Sequence, residues 1–412
     1  MKWASAISTR PSLESAVRDV SEQALAQLDA TPDLAIVFIS SAFASEYPRL
    51  LPLLREYLPA AHLFGCSGGG VVGVTAEGSP KEVENAAALS LTLAHLPGVT
   101  LKSFHLSIEE LPDLDSPPSE WTEIIEVSPA ERPHFLLVAD PFSEGMNDLL
   151  QGLDFAYPDS VKVGGLAGIE SLSRGSSLFC GQQIYQEGVV GVALFGQIAM
   201  DAIVAQGCRP IGQPYRVVEG DRNIVMQVQA QSADIDSEAA PQTPLEVLQS
   251  IFKDLSDADR ELAQRALFIG MAQSSFKPTL EQGDFLIRNL VGVDPKVGAI
   301  AIADRVRPGQ RIQFHLRDAR TSADDLENLL NHYQQRQYQP AGALMFVCNG
   351  RGEGLYKQPD FDSALFEKYL GPVPLGGFFC NGEIGPVGST TFLHGFTSVF
   401  GIFRDPAQAP AE

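Results

Sequence analysis

An apolar run that stops at a dense glycine cluster occurs three times in this chain, and it limits the fold more than any other feature. The clusters are FGCSGGG (64–70), VGGLAG (163–168) and GGFFCNGEIG (376–385). Each is preceded, in the same order, by an apolar strand ending in small polar residues, a helical segment and a short second strand, and each is followed by hairpin-like strands. The first strands are 34–39, closed by Ser40-Ser41; 135–138, closed by Ala139-Asp140-Pro141; and 343–347, closed by Cys348-Asn349-Gly350. Continuous apolar runs with β-branched residues are the pattern of strands covered on both faces. Glycine lets two backbones approach closely and turn tightly. Two origins for the shared grammar stay open: internal duplication, and the general reuse of such turns by α/β chains.

The order of strands and helices predicts an α/β or α+β fold with mixed sheets flanked by helices. A chain of 412 residues exceeds one ordinary core. Two packed domains are expected, 1–213 and 214–404. Within them the spacing of Leu13, Ala16, Val17, Val20, Ala24, Leu25 and Leu28 predicts a helix over 12–30, capped by Ser12. A hairpin is expected over 215–230 with its turn at Glu219-Gly220-Asp221, then an acidic linker over 230–243 holding Asp234, Asp236 and Glu238. The run 311–316 alternates strictly and predicts a half-exposed strand. The run 391–403 also alternates like a strand.

The formal net charge of −22 repels phosphate backbones and anionic lipid, which disfavours nucleic acid and membrane surfaces as partners. The five cysteines are odd in number, irregularly spaced and without a CxxC pair, so neither a disulfide framework nor a structural metal is expected. The first residues lack a long apolar segment and read as mature protein. No run approaches the ~18 apolar residues of a membrane helix. These features point to a cytoplasmic protein without cofactor or metal.

The chemistry-bearing residues lie at the glycine turns. Arg351 stands between Gly350 and Gly352, and its planar fork suits a carboxylate. Glu383, next to Asn381-Gly382, is a counter-charge for an amine. An Arg351–Glu383 ion pair would satisfy both charges with no ligand. Cys348 ends a strand, with His394 later in the segment; a small cysteine packed under a turn is the simpler reading than a nucleophile. Asn349, Gly377, Ser67, Gly68 and Gly165 complete the candidate ligand-binding set. The loop at 65–70 is not a phosphate-binding loop of the Gly-Lys-Ser/Thr kind, because Val71-Val72-Gly73 reads as a strand; 169–172 likewise opens no convincing helix.

GCSGGG at 65–70, VGGLAG at 163–168, GDRNIVMQV at 220–228 with TPLEVLQSIF at 243–252, CNGRGEGLY at 348–356, GFFCNGEIGP at 377–386 and LHGFTSVF at 393–400 together resemble the FIST family, over about 30–403. That family is a two-part module of bacterial signal-transduction proteins, also found in a eukaryotic F-box protein. The resemblance implies a sensory role, a small ligand such as an amino acid, and an unknown signalling partner. It implies no reaction. A protein–protein adaptor is the alternative, and an enzyme using Cys348 or Glu383 is a third reading.

Overall fold

A computed structural model describes residues 1–58, 61–168, 175–230, 240–274, 277–281 and 283–407. The expected linker acids Asp234, Asp236 and Glu238, and the segment 169–172, lie outside the described residues. Contacts group Met1–Ala205 with Leu326–Glu412 and set Gln206–Asp325 apart as a second unit.

The larger unit consists of one motif laid down three times. The first pass is β1 (Lys2–Ser8), α1 (Leu13–Leu28), β2 (Leu34–Ser40), α2 (Tyr47–Tyr57), β3 (His62–Gly68), the hairpin β4 (Gly70–Val74) and β5 (Pro80–Glu84), and β6 (Leu89–His95). The second is β7 (Val99–Leu106), α3 (Pro118–Ile125), β8 (His134–Ala139), α4 (Met146–Ala156), β9 (Lys162–Leu166), the hairpin β10 (Leu178–Cys180) and β11 (Gln183–Tyr185), and β12 (Val189–Gly196). The third opens with β13 (Ala199–Ala205).

The smaller unit is then inserted. It contains β14 (Cys208–Asp221), β15 (Ile224–Ala230), α5 (Pro244–Asp254), α6 (Asp257–Ala266), β16 (Leu267–Ala272), β17 (Phe285–Asp294), β18 (Ala299–Ile302) and β19 (Arg311–Arg317). The third pass resumes through α7 (Ala319–Gln335), β20 (Gly342–Cys348), α8 (Gly352–Tyr356), α9 (Phe361–Leu370), β21 (Leu375–Cys380), the hairpin β22 (Glu383–Val387) and β23 (Thr390–His394), and β24 (Ser398–Arg404).

Each repeat builds four strands of one sheet and lends its hairpin to another. The sheet orders are β1-β6-β2-β3-β10-β11, β7-β12-β8-β9-β22-β23 and β13-β24-β20-β21-β4-β5. Repeat one therefore completes sheet three, repeat three completes sheet two, and repeat two completes sheet one. The three parallel pairs carry the same close contact. Gly65, Gly164 and Gly377 face Val37, Leu137 and Met345 in register. A Cβ at these glycines would lie 1.8, 1.7 and 2.0 Å from the carbonyl oxygens of those partners. Only glycine fits there. The repeated grammar of the sequence is thus a repeated architecture.

An apolar core with residues from all three sheets, including Phe38, Cys66, Val71, Val138, Leu178, Phe346, Phe378 and Val399, lies on their shared side. Helices cover the outer faces: α1 and α2 on the first, α3 and α4 on the second, α7 and α9 on the third. Helix α1 follows its sequence closely. Ser12 accepts the N–H of Ser15, Asp29 ends the helix in the left-handed conformation, and the predicted apolar stripe is buried except for the half-buried Leu25.

The smaller unit is a closed barrel, β14-β15-β18-β17-β16-β19. Two expectations fail here. The hairpin turn falls at Arg222-Asn223, two residues beyond the expected place, because β14 is a long strand with bulges after Val217. The strand predicted as half-exposed, β19, is buried at every position. Its alternation does not mark a wet face, because its polar side chains find partners inside: Arg311 Nη1 donates to Lys277 O at 2.5 Å and Gln313 Nε2 to Gly212 O at 2.9 Å. The expected single run over 391–403 is two strands, β23 and β24, broken at Gly395–Thr397.

Replacing Gly65 or Gly377 with alanine forces a Cβ into a backbone carbonyl, and denaturant unfolding should register a loss of about 2–4 kcal/mol or failure to fold. Gly354→Ala, with open space around the new atom, should change stability little; equal effects at all three positions would refute the steric account.

Candidate functional site

The tips of β3, β9 and β21 meet and hydrogen-bond directly. Between repeats one and two, Ser67 Oγ donates to Gly168 O at 3.0 Å and Gly168 N to Ser67 O at 2.7 Å. Ser177 N donates to Ser67 Oγ at 3.0 Å. Between one and three, Gly69 N donates to Phe379 O at 3.0 Å. Between three and two, Asn381 N donates to Leu166 O at 3.0 Å and Asn381 Nδ2 to Ala167 O at 2.7 Å. Asn349 Nδ2 adds a bond to Asn381 Oδ1 at 3.0 Å. The scattered glycine clusters thus form one corner. Gly69, Asn349, Gly350 and Asn381 are its exposed groups, while Ser67, Gly68 and Gly168 are buried beneath them.

Glycine is required there by close approach. A Cβ at Gly168 would lie 2.4 Å from Gly68 C, and one at Gly69 2.1 Å from Asn349 Oδ1. Gly165 and Gly377 do a different job within the sheets: a Cβ at Gly165 would meet Cys380 Sγ at 2.5 Å.

Register makes the repeats comparable residue by residue. Ser40, Asp140 and Cys348 each lie three positions past the carbonyl that touches the repeat's glycine. Their N–H groups donate to Ala88 O, Gly188 O and Thr397 O respectively. Likewise Val71, Leu178 and Glu383 are equivalent, each paired with the residue after that glycine: Phe378, Cys66 and Gly165. Two repeats place an apolar side chain at this buried position. The third places a carboxylate.

Glu383 is therefore not a turn residue, as expected, but the first residue of β22, fully buried. Its Oε2 accepts Thr397 N at 3.1 Å and Thr397 Oγ1 at 2.7 Å. Phe396, beside it, has φ of 65°, a strained conformation for a bulky side chain. His394 sits across the hairpin with Nε2 against Gly385 O at 3.0 Å.

Arg351 is fully buried at the start of α8. Its Nε and Nη2 donate to Asp362 Oδ2 and Oδ1 at 2.7 and 3.0 Å, a two-point pairing, and Nη2 also donates to the Tyr356 hydroxyl. The Arg351–Glu383 pair considered from the sequence is not formed; Asp362 from α9 takes that place. Gly352, at φ of 61°, lies against Glu84, whose Oε1 accepts Glu353 N at 2.8 Å.

Glu82 lies in the same cluster, on the hairpin lent by repeat one. It accepts Ser363 N at 2.7 Å through Oε1. Burial, and then the charge of Asp362, push its carboxyl up to about 8. The burial of Asp362, Glu82 and Thr397 and the half-burial of Tyr356 around the corner could not be read from the sequence, because their partners are set by the tertiary fold and, for Glu82, lie in another repeat. Only the first-turn acid Asp362 carried a local signal.

Geometry and glycine corners define a three-sheet α/β protein with a polar corner at the point where its repeats converge. The chain belongs to the FIST family: the FIST N domain matches residues 33–231 and the FIST C domain residues 244–386. FIST domains are associated with signal transduction and small-ligand sensing. An uncharacterized protein of Mycobacterium tuberculosis is 32% identical over 401 residues, 97% of this chain and 98% of that one. An uncharacterized protein of Mycobacterium bovis is 30% identical over 404 residues, 98% of each chain. An F-box/LRR-repeat protein of Arabidopsis thaliana is 29% identical over 112 residues, covering 23% of this chain and 21% of that one. The crystal structure of a cyanuric acid hydrolase from A. caulinodans aligns over 98% of this chain and 99% of that one, with 8% identity and a TM-score of 0.34; at that similarity nothing about this chain follows from it. Among the described residues, no helix is long and apolar enough to cross a membrane.

The buried cluster gives two expected outcomes. Arg351→Met leaves Asp362 buried without its cation and should lower unfolding free energy by about 3–5 kcal/mol. Glu82 has a folded value above its ordinary 4.5, so its contribution is full at low pH and is lost as pH rises through about 8. The melting temperature should fall between about pH 4.5 and about pH 8 and level off above that. Glu82→Gln, which mimics the protonated acid, should flatten that fall; an unchanged slope would show that another group titrates.

Proposed function

We propose that the protein is an intracellular sensory protein that binds a small polar ligand, an amino acid or similar carboxylate metabolite, at the corner of Ser67, Gly68, Asn349, Gly350 and Asn381. The observation that carries this reading is the convergence of three repeats on exposed asparagine amides and glycine backbone. Beyond the bonds it already makes, each amide keeps a second N–H and oxygen lone pairs, which suits a molecule carrying an ammonium and a carboxylate. In this reading Arg351, Gly352, Cys348 and Glu383 shape the corner from beneath, and Gly165 and Gly377 let the sheets approach. The chain acts as a binding protein whose output passes to a signalling partner.

One observation favours an adaptor instead. The guanidinium of Arg351 is committed to Asp362, so it supplies no fixed positive charge at the surface of the corner. A native pull-down that retains a stoichiometric partner, combined with no ligand response, would support that second reading.

Thermal unfolding against a panel of amino acids and small carboxylates at millimolar concentration tests the proposal. A melting temperature that rises with ligand concentration is expected, since a ligand bound at about a hundred times its Kd stabilises by about 2.7 kcal/mol. Asn349→Ala and Asn381→Ala should abolish the rise while leaving the unliganded protein folded. No response to any compound, or a response that both variants retain, would remove the corner as the site.

A further inference from the structure

We infer that Cys348 and Cys380 are a reversible dithiol–disulfide pair that reacts with peroxide. The two residues end the parallel strands β20 and β21 and are partners in the ladder. Residues opposite one another in a sheet point to the same face. Paired residues on neighbouring strands lie about 4.8 Å apart, inside the roughly 4.4–6.8 Å that a disulfide spans. The pairing holds to the tips, where Asn349 N donates to Cys380 O at 3.0 Å.

The two thiols differ in a way that sets the order of events. Cys348 is partly exposed, and its Sγ receives the Gly350 N–H at 3.4 Å. A partly exposed thiol is the one a peroxide reaches first. Cys380 is buried, and its thiol donates to Phe378 O at 3.5 Å. Burial pushes it up, so it reacts second.

The chemistry balances with peroxide as oxidant. The Cys348 thiolate attacks one peroxide oxygen; an S–O bond forms, the O–O bond breaks and water leaves after protonation. Cys380 sulfur then attacks Cys348 Sγ; the S–S bond forms, the S–O bond breaks, and the hydroxide leaves as water with the Cys380 proton. Two thiols lose two electrons and one peroxide becomes two waters.

This inference stands apart from the ligand-binding reading, and its test needs no ligand. The reduced full chain is treated with hydrogen peroxide, the remaining thiols are alkylated, and the digest is mapped by mass spectrometry. The expected result is a mass loss of two hydrogens and a peptide joining Cys348 to Cys380, both reversed by dithiothreitol. Cys380→Ser should leave Cys348 as a sulfenic acid trapped by dimedone, and Cys348→Ser should abolish the fast reaction. A Cys66–Cys380 link would overturn the pair, since Cys66 also lies near Cys380. So would Cys348 oxidised beyond the sulfenic acid while Cys380 is still alkylated, or Cys348 left unreacted. Should either variant fail to fold, the wild-type map alone decides.

Discussion

Three carbonyl oxygens pressed against three glycine α-carbons hold this architecture together. Val37, Leu137 and Met345 each bring a carbonyl to a place where any side chain would collide. Each contact draws a parallel strand pair tight just before the chain leaves for its hairpin. Because the hairpins are exchanged in a cycle, no sheet is complete without the next repeat. Strand β4 pairs with β21 although some three hundred residues separate them, and β22 pairs with β9 across some two hundred and twenty. Such non-local pairing makes folding slow and stability collective, since closing long loops must precede the contacts that reward it.

The repeats agree in backbone and disagree in chemistry, and the disagreements gather in the third. Val71 and Leu178 are what a buried core position asks for; Glu383 is not. A buried carboxylate is unfavourable unless hydrogen bonds answer it, and Thr397 answers with both its N–H and its hydroxyl. Next to that clamp, Phe396 holds a left-handed conformation that costs on the order of 1–3 kcal/mol. Thr397 in turn receives the Cys348 N–H. Strain and buried charge therefore lie beside the strand end that carries Cys348 and Asn349; at the equivalent positions, the buried Asp140 accepts the Ser176 hydroxyl and Ser40 accepts Ala88 N. Natural chains keep such local conflicts where function requires them.

Much of the fold was legible because its signals were local. The cap of Ser12, the stripe of α1 and the strand–helix–strand order of each repeat follow from short spacings. Strands β1 and β5 escaped notice because Lys2–Ser8 and Pro80–Glu84 lack a strong alternation of their own; they are made strands by their neighbours β6 and β4. The meeting of the glycine clusters was legible as a pattern, but the roles of Arg351 and Glu383 were not. Arg351 is paired with Asp362 of α9 and Glu383 with Thr397 at a strand break, and neither pairing leaves a mark within a few residues. The buried β19 fails for a related reason: alternation reports side-chain period, and a barrel strand whose polar residues are answered inside shows the same period as one facing water.

The burial of Arg351 changes what its turn can do. A surface arginine would let residues 349–352 move with little penalty. Here the guanidinium is anchored to Asp362, Asp360 accepts Glu82 N, and Glu82 accepts Ser363 N, so the turn is tied to the hairpin of another repeat. Two residues earlier, Asn349 is tied through Asn381 to Ala167 of the remaining repeat. Asn349 therefore stands on a short segment whose two ends are tied to different repeats. Holding a recognition group in this way lowers the conformational entropy lost when something binds to it. It also means that any displacement of the turn has to be taken up by both neighbours, because packed sheets yield in discrete steps and not by continuous bending.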